Sequence, residues 1–96
     1  MKQQRYLDKD GKRDWIDKCA DEMTLVEFNA AMFFTIGKYY QRLGKKDPVE
    51  QELAKAEDYH LRWVDKLVSK YKKNELWAIA FADASIERAK ALASEE

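Results

Sequence analysis

The sequence has few of the residues that punctuate or cross-link a chain. Its 96 residues include three glycines, one proline and one cysteine, Cys19. A β-sandwich or barrel would need more turn residues, and a lone cysteine excludes an internal disulfide and favours a reducing compartment. The longest apolar-leaning run, 76–86, is too short to span a bilayer and contains Asp83. These absences favour a helical, cytosolic protein without a membrane segment.

Apolar and charged residues are both abundant. Apolar residues make up 46% of the chain, aromatic residues 12% and charged residues 38%, against roughly 25% charged in typical soluble domains. This content can form a core and excludes a disordered chain. The net charge of zero gives no strong nucleic-acid signal, but residues 38–73 hold ten basic and six acidic side chains, a balance of +4. An anion-binding surface is therefore expected in the middle third.

The pattern predicts an all-α fold, a compact bundle of three to four helices in a single domain, 1–96. A first helix is expected from about 13 to 22 with Trp15 facing inward, after a polar segment that allows a short turn or hairpin. Thr24 and Glu27 have the spacing of a capping box for a second helix, which Gly44 ends. This helix is apolar on nearly every side between 30 and 37, which predicts that it is the most buried.

The third helix has the most regular period. It is predicted to begin at Pro48, with Asp47 as its N-cap, and to last to about Lys72. Steps of three and four residues define one buried seam, made of Val49, Leu53, Ala56, His60, Trp63 and Leu67.

The C-terminal segment predicts one more helix, from about 75 to 93. Its apolar residues cover more than one face, which leaves surface that a four-helix monomer does not bury. We therefore predict homo-oligomerisation through this helix, with Trp77, Ile79 and Phe81 in the interface.

A cluster of cations ends the second helix. Lys38, Arg42 and Lys45 share one helical face, and Lys46 follows them. The next helix offers free backbone N–H groups, Lys55 can close the site, and Tyr39 or Tyr59 can pack on a base. This arrangement predicts a nucleotide or phosphate site. The alternative is that the cations only satisfy the carbonyls of a helix C-terminus, in which case Arg42→Ala would cost less than about 1 kcal/mol.

Other polar features have simpler interpretations. Asp14, Asp17 and Asp21 form an acidic stripe on the first helix, a weak candidate for Mg²⁺ that a solvated helix face explains equally well. His60 has no second histidine or cysteine near it in sequence, which favours a packed histidine over a metal ligand or a base. The glycines are too scattered for a phosphate-binding loop. The residues therefore give no catalytic assignment and no certain metal site.

Two segments carry a family resemblance. Residues 36–46 read I-G-K-Y-Y-Q-R-L-G-K-K, and residues 52–59 read E-L-A-K-A-E-D-Y. They resemble the pattern I-x-K-Y-x-x-R-x-G-K-K, then D-L-x-K-A-x-x-Y, of a small phage-encoded family. That family includes SaV-like phage proteins and the C-terminal part of podophage nucleotide kinases. The similarity covers about 5–70, with 75–93 as an added helix. Arg5 stands at a common family histidine and Glu52 at its aspartate.

The resemblance leaves two functions open. The first is a non-enzymatic phage protein that binds a nucleotide or a host protein in the cytoplasm of the infected bacterium, as an anti-defence or host-takeover inhibitor. The second is a deoxynucleoside-monophosphate kinase-like enzyme, whose cations would clamp phosphates and which would need Mg²⁺ and ATP. The sequence does not identify the ligand, the host target, the oligomer number or the roles of Cys19 and His60.

Overall fold

The computed structural model describes residues 14–45 and 47–95, and every regular element in these two stretches is an α-helix. The helices are α1 (Trp15–Glu22), α2 (Leu25–Gln41), α3 (Val49–Ser69) and α4 (Glu75–Ala93). The expected all-α bundle is therefore confirmed. The turn or hairpin predicted near the N-terminus lies outside the described residues. None of the described helices is long and apolar enough to cross a membrane.

Side-chain caps fix where three of the helices begin. The Thr24 hydroxyl accepts from Glu27 N at 3.2 Å, and the Glu27 carboxylate accepts from Thr24 N at 2.9 Å, so the predicted capping box is confirmed. Asp14 and Asp17 form a second box at α1. At α4 the Asn74 side chain accepts from the backbone N–H of residue 77 at 3.1 Å. Each cap satisfies N–H groups that the first helical turn leaves without a partner.

The helices α2, α3 and α4 form the bundle, and α1 lies along α3. Contacts between Arg42 and Glu52 at one end, and between Tyr71 and Met23 at the other, show that α3 is antiparallel to α2. The chain then returns in α4, which runs parallel to α2. All four helices contribute to the hydrophobic core, which contains Ile16, Ala20, Phe28, Met32, Ile36, Trp63, Leu67, Ala78 and Ile86.

The helix α4 meets the core mainly through small side chains. Ala78, Ala82 and Ala89 are almost fully buried, and a Cβ added at Gly37 of α2 would lie 3.8 Å from the Ala89 Cβ. Small residues on both sides allow two helices to approach closely. Most of the large apolar residues of α4 lie at the surface instead, with Leu76 77% exposed, whereas Ile86 is buried. The expectation of apolar residues on more than one face of this helix is confirmed.

One prediction of burial is wrong in α1 and another is wrong in α2. Trp15 does not face inward, because it is 75% exposed while the neighbouring Ile16 is buried. The segment 30–37 of α2 is not buried on all sides either, since Phe34 is also 75% exposed. The physical reason is geometric: a helix in a three-helix bundle buries one stripe, and a second apolar stripe then remains on the surface.

The third helix ends earlier than predicted, at Ser69 rather than at about Lys72. Lys72 adopts a positive φ of 60°, and the N–H of Lys73 donates to the carbonyl of Leu67 at 2.9 Å. This left-handed residue and the backward hydrogen bond that follows it turn the chain away from α3. The hydroxyl of Tyr71 then reaches the carbonyls of Ala20 and Met23, at 3.1 and 2.9 Å.

Replacing Tyr71 with phenylalanine is expected to lower the free energy of unfolding by about 1 kcal/mol at neutral pH, because one hydroxyl holds the end of α1 and the turn before α2. Burial, and then the charges of Glu27 and Asp21, raise the pKa of Tyr71. A raised pKa in the folded state contributes stability below the ordinary tyrosine pKa of about 10, which is lost as the pH rises through the folded value. Urea unfolding at pH 7 and above pH 10 checks both effects. Between pH 7 and alkaline pH the variant should lose less stability than the wild type. Equal losses in the two proteins would contradict this expectation.

Candidate functional site

The candidate site lies where α2 ends and α3 begins. The chain reverses between α2 and α3. The helix α2 ends at Gln41 with Arg42 as its C-cap, earlier than the predicted stop at Gly44, which adopts a positive φ of 74° in the turn that follows. Lys45 N donates to the carbonyl of Arg42 at 3.0 Å within this turn. The turn brings the last turn of α2 beside the first two turns of α3. We call this region the cation corner, formed by Lys38, Tyr39, Arg42, Lys45, Asp47, Glu52, Lys55 and Tyr59.

Tyr39 is at the centre of the cation corner. Its ring stacks on the ring of Tyr59, with centroids 5.7 Å apart and an interplanar angle of 22°. Three cationic groups lie near the Tyr39 centroid: Lys38 at 5.2 Å, Arg42 at 5.3 Å and Lys55 at 5.8 Å. The two helices thus bring together five of the seven residues predicted for the site. Attraction between cations and the aromatic face helps to hold these positive charges close together.

The stacked tyrosines also present hydroxyl groups at the cation corner. Burial raises the pKa of Tyr59 above its usual value, and Tyr39 and Asp58 raise it further. The phenol therefore keeps its proton at neutral pH and can donate a hydrogen bond to an anionic oxygen. Both rings are half-buried, so one part of the pair packs against the protein while another part reaches solvent.

Arg42 pairs with the carboxylate of Glu52 in the cation corner. Its terminal nitrogen Nη2 donates to both carboxylate oxygens of Glu52, at 3.4 and 3.3 Å. Glu52 is fully buried, whereas the Arg42 side chain is 31% exposed. The Arg42 Nε is buried without a hydrogen-bond partner among the described residues. Arg42 therefore has a structural role that the sequence did not predict. The buried carboxylate of Glu52 needs the positive charge of Arg42 beside it.

Asp47 does not have its predicted place in the structure. The N-cap of α3 is Pro48, which makes no side-chain cap hydrogen bond, so the prediction of Asp47 as N-cap is wrong. The Asp47 carboxylate instead lies 3.6 Å from the Lys55 ammonium and 3.9 Å from Arg42 Nη2. One partly exposed carboxylate therefore bridges two cations. The first turn of α3 keeps backbone N–H groups that a side-chain cap would otherwise cover.

The remaining predicted ligands are less constrained. Lys45 is exposed at the end of the turn. Lys46 lies outside the described residues, so its predicted role remains a prediction.

The acidic stripe of α1 is matched by a basic stripe on α3. Ion pairs join Asp14 to Arg62, Asp17 to Lys66, and Asp21 to Lys70. The spacing of three and four residues keeps each stripe on one helix face, and the two helices run parallel. These pairs give the stripe a role in holding α1 on the bundle. Across 14–45 and 47–95, no three or more His, Cys, Asp and Glu side chains are grouped to hold a metal ion.

His60 lies at the edge of the buried line of α3, not on it, so the prediction that it belongs to the buried seam is wrong. The line runs through Glu52, Ala56, Trp63 and Leu67, while Val49 and Leu53 are more than 40% exposed. The His60 side chain is 31% exposed, and its Nε2 lies 3.1 Å from a carboxylate oxygen of Asp83 on α4.

The three residues predicted for an interface on α4 do not share one surface. Trp77 and Phe81 stack ring on ring, with centroids 5.0 Å apart and nearly parallel planes. Phe81 also lines a groove beside α2, whereas Ile79 lines the groove between α3 and α4 together with His60. These residues are exposed or half-exposed, and their predicted role in self-association stays a prediction.

The comparisons with known proteins assign a family. The model of a family described as protein of unknown function (DUF3310) matches residues 2–60. This range includes α1, α2 and the first half of α3, and therefore the whole cation corner, but not α4. No curated protein and no solved structure matches the chain.

Proposed function

The chain belongs to the DUF3310 family, and we propose that it binds a nucleotide or a related phosphate-bearing ligand at the cation corner. The observation that carries this proposal is the convergence of Lys38, Arg42 and Lys55 on the ring of Tyr39. Clustered ammonium and guanidinium groups attract phosphate, and an aromatic pair beside them offers a surface for a base. The first turn of α3, which lacks a side-chain cap, adds the positive end of a helix dipole.

The charges of the cation corner set how a phosphate would enter it. Glu52 is buried and holds Arg42 from the protein side, so the phosphate would interact mainly with Lys38, Lys45 and Lys55. Asp47 lies between Lys55 and Arg42 on the partly exposed side. Its carboxylate is the nearest negative charge that an incoming phosphate would have to displace. We therefore assign Asp47 as an internal competitor of the ligand.

The setting that we propose follows the resemblance to small phage proteins. In this proposal the protein acts in the cytoplasm of an infected bacterium, where removing or sensing a nucleotide would disarm a defence or redirect host metabolism. A host protein as the direct target is the other version of the same proposal. It draws support from the large apolar side chains exposed on α2 and α4.

Titration calorimetry with mono-, tri- and cyclic nucleotides and with inorganic phosphate tests the binding proposal. We expect one nucleotide class to bind, with an affinity that falls as salt rises, because the exposed cations are screened. Lys55→Ala should abolish this binding. Lys73→Ala removes the same charge from the connection between α3 and α4, at the opposite end of the bundle, and should leave the affinity unchanged. If no ligand in the panel produces heat, the proposal is wrong and the host-protein version stands alone.

Replacing Asp47 with asparagine is expected to tighten phosphate binding by about three- to fivefold, the size of a partly exposed ion pair. The change removes the competing charge but keeps the shape of the side chain. Glu87→Gln, an exposed position on α4, changes the net charge by the same amount and serves as the control. Equal affinities of the Asp47 variant and the wild type would show that Asp47 does not compete with the ligand.

The alternative function is phosphoryl transfer by a deoxynucleoside-monophosphate kinase-like enzyme, which would need Mg²⁺ and ATP. The cations that would bind a phosphate could also neutralise a transferred one. The engagement of Arg42 by Glu52 and Asp47 favours binding alone, because the guanidinium already has two carboxylates beside it. Incubation with ATP, Mg²⁺ and each deoxynucleoside monophosphate separates the two functions. Turnover that is lost in Lys55→Ala would favour the enzyme.

A further inference from the structure

A second apolar stripe runs along the outer side of α2. The exposed members recur at helical spacing on the side opposite the buried Phe28, Met32 and Ile36, and they are Val26, Ala30 and Phe34. Phe33 and Gly37 form the edge of the stripe that packs against α4. Val26 is 77% exposed and Phe34 is 75% exposed. We call these five residues the outer stripe. Apolar patches of this kind on a soluble protein commonly mark interaction sites.

The helix α4 extends the outer stripe into a wider apolar surface. A groove of about 330 Å³ lies beside Phe33, Phe34 and Gly37, and Ala89 and Leu92 of α4 form its opposite wall. On α4, Leu92 is 57% exposed. The Arg88 guanidinium covers one side of this surface, 4.4 Å from the centroid of Phe33. The face therefore offers apolar area from two neighbouring helices.

The charges beside the outer stripe indicate what covers it. Glu27 and Lys38 are both exposed and lie eleven residues apart, which is three turns, or about 16 Å along the helix. They therefore flank the same side of the stripe at its two ends, with opposite signs. A partner whose own charges run in the opposite order would match both ends.

We infer that a second copy of this chain covers the outer stripe, with the two α2 helices antiparallel about a two-fold axis near Phe33. In this arrangement Glu27 of each copy lies beside Lys38 of the other. Phe34 of each copy meets the region of Ala30 of the other, so a large side chain faces a small one. A parallel arrangement would instead place like charges at the same height on opposite edges of the contact, so that no opposite charges would pair. Two-fold dimers are the commonest oligomers, and their interfaces are self-complementary in this way.

This inference differs from an interface built on the C-terminal helix alone. The centre of the contact is α2, and α4 contributes the wall of the groove. It does not depend on phosphate binding, because calorimetry and sedimentation measure the two properties separately. Lys38 belongs to both the cation corner and the proposed dimer contact. Variants of Lys38 are therefore not used to distinguish phosphate binding from dimerisation.

Sedimentation equilibrium of the full chain at micromolar concentration tests the dimer. We expect the wild type to be dimeric and Phe34→Ser to raise the dissociation constant roughly a hundredfold, since each dimer loses two buried rings. Leu61→Ser removes an exposed leucine from α3, off the stripe, and should leave the dimer intact. Circular dichroism confirms that both variants stay folded. A monomeric wild type, or equal effects of the two changes, would overturn the inference.

A spin label tests the antiparallel geometry. In the double variant Cys19→Ser with Gln41→Cys, the one remaining cysteine carries the label near the C-terminal end of α2. An antiparallel pair centred near Phe33 places the two labelled backbones about 25 Å apart, from 1.5 Å of rise per residue. A parallel pair would bring them to about 10 Å, the usual distance between packed helices. A measured distance near the shorter value would contradict the proposed axis.

Discussion

Arg42→Ala is expected to lower the free energy of unfolding by about 2–4 kcal/mol, because it leaves the carboxylate of Glu52 buried without its cation. Glu52 is fully buried and both of its oxygens accept from Arg42. The expected loss exceeds the cost of about 1 kcal/mol that helix capping alone would give. The expected loss is smaller than the loss from breaking a fully buried ion pair, because Arg42 is itself partly exposed.

Urea unfolding at neutral pH measures this loss. Lys45→Ala removes an exposed cation from the same turn and should cost only a few tenths of a kcal/mol. The double variant Arg42→Leu with Glu52→Leu should regain most of the stability, because no buried charge is left. If the single and double variants were equally unstable, the loss would come from packing and not from the stranded carboxylate. Because Arg42→Ala is expected to destabilise the fold, Lys55→Ala is the variant with which to test ligand binding.

Trp63→Ala is expected to lower the free energy of unfolding by about 3–5 kcal/mol, the range for removing a buried tryptophan from a core. Trp63 is 1% exposed and joins all three bundle helices. Its indole nitrogen donates to the side chain of Asn29 on α2 at 2.9 Å, and its ring packs edge-on against Phe81 on α4 at 6.2 Å. The change would create a cavity and leave the Asn29 oxygen without its donor.

The other two tryptophans provide matched controls for this prediction. Trp77 is 43% exposed and Trp15 is 75% exposed. Because the free energy gained on burial scales with the apolar area removed from water, the costs of the alanine variants should fall in the order Trp63, Trp77, Trp15. Thermal and urea unfolding of the three variants give this order directly. A cost at Trp15 close to that at Trp63 would contradict the described packing of α1.

The helices could be predicted because their signals are local. The Thr24–Glu27 box lies within one turn, and the positive φ of Gly44 in the turn after α2 depends only on its own backbone. The helical spacing of apolar residues along α3 also predicted that Trp63 is buried. Signals of this kind depend on neighbours in sequence, so a single chain is enough to interpret them.

The contacts of the cation corner depend on residues that are distant in sequence. The sequence placed the cations together, and three of them do surround Tyr39. It could not show that Glu52 is the buried partner of Arg42. The apolar period alone favoured Leu53 for the seam, but Leu53 is 43% exposed and the buried line passes through Glu52. Burial of a charged residue can be predicted only when its ion-pair partner is known.

The surface of the bundle was the hardest part to predict. An apolar residue such as Trp15 or Phe34 follows the same helical period whether it faces the core or solvent. Which stripe is buried depends on how many helices pack around it, and here α2 has only two large neighbours among the described helices. The Asp14–Arg62 pair likewise depends on α1 lying parallel to α3. The helical period of a sequence does not show how two helices are placed against each other.

Binding of a phosphate-bearing ligand at the cation corner should be visible in amide chemical shifts measured during an NMR titration. The wild-type chain, labelled with nitrogen-15, is titrated with the tightest nucleotide of the calorimetric panel. We expect the largest shifts in residues 38–45 and 47–59, and we expect Lys55→Ala to remove them. Largest shifts in the groove between α2 and α4 or in α1, or no saturable shift with any nucleotide, would contradict binding at this site.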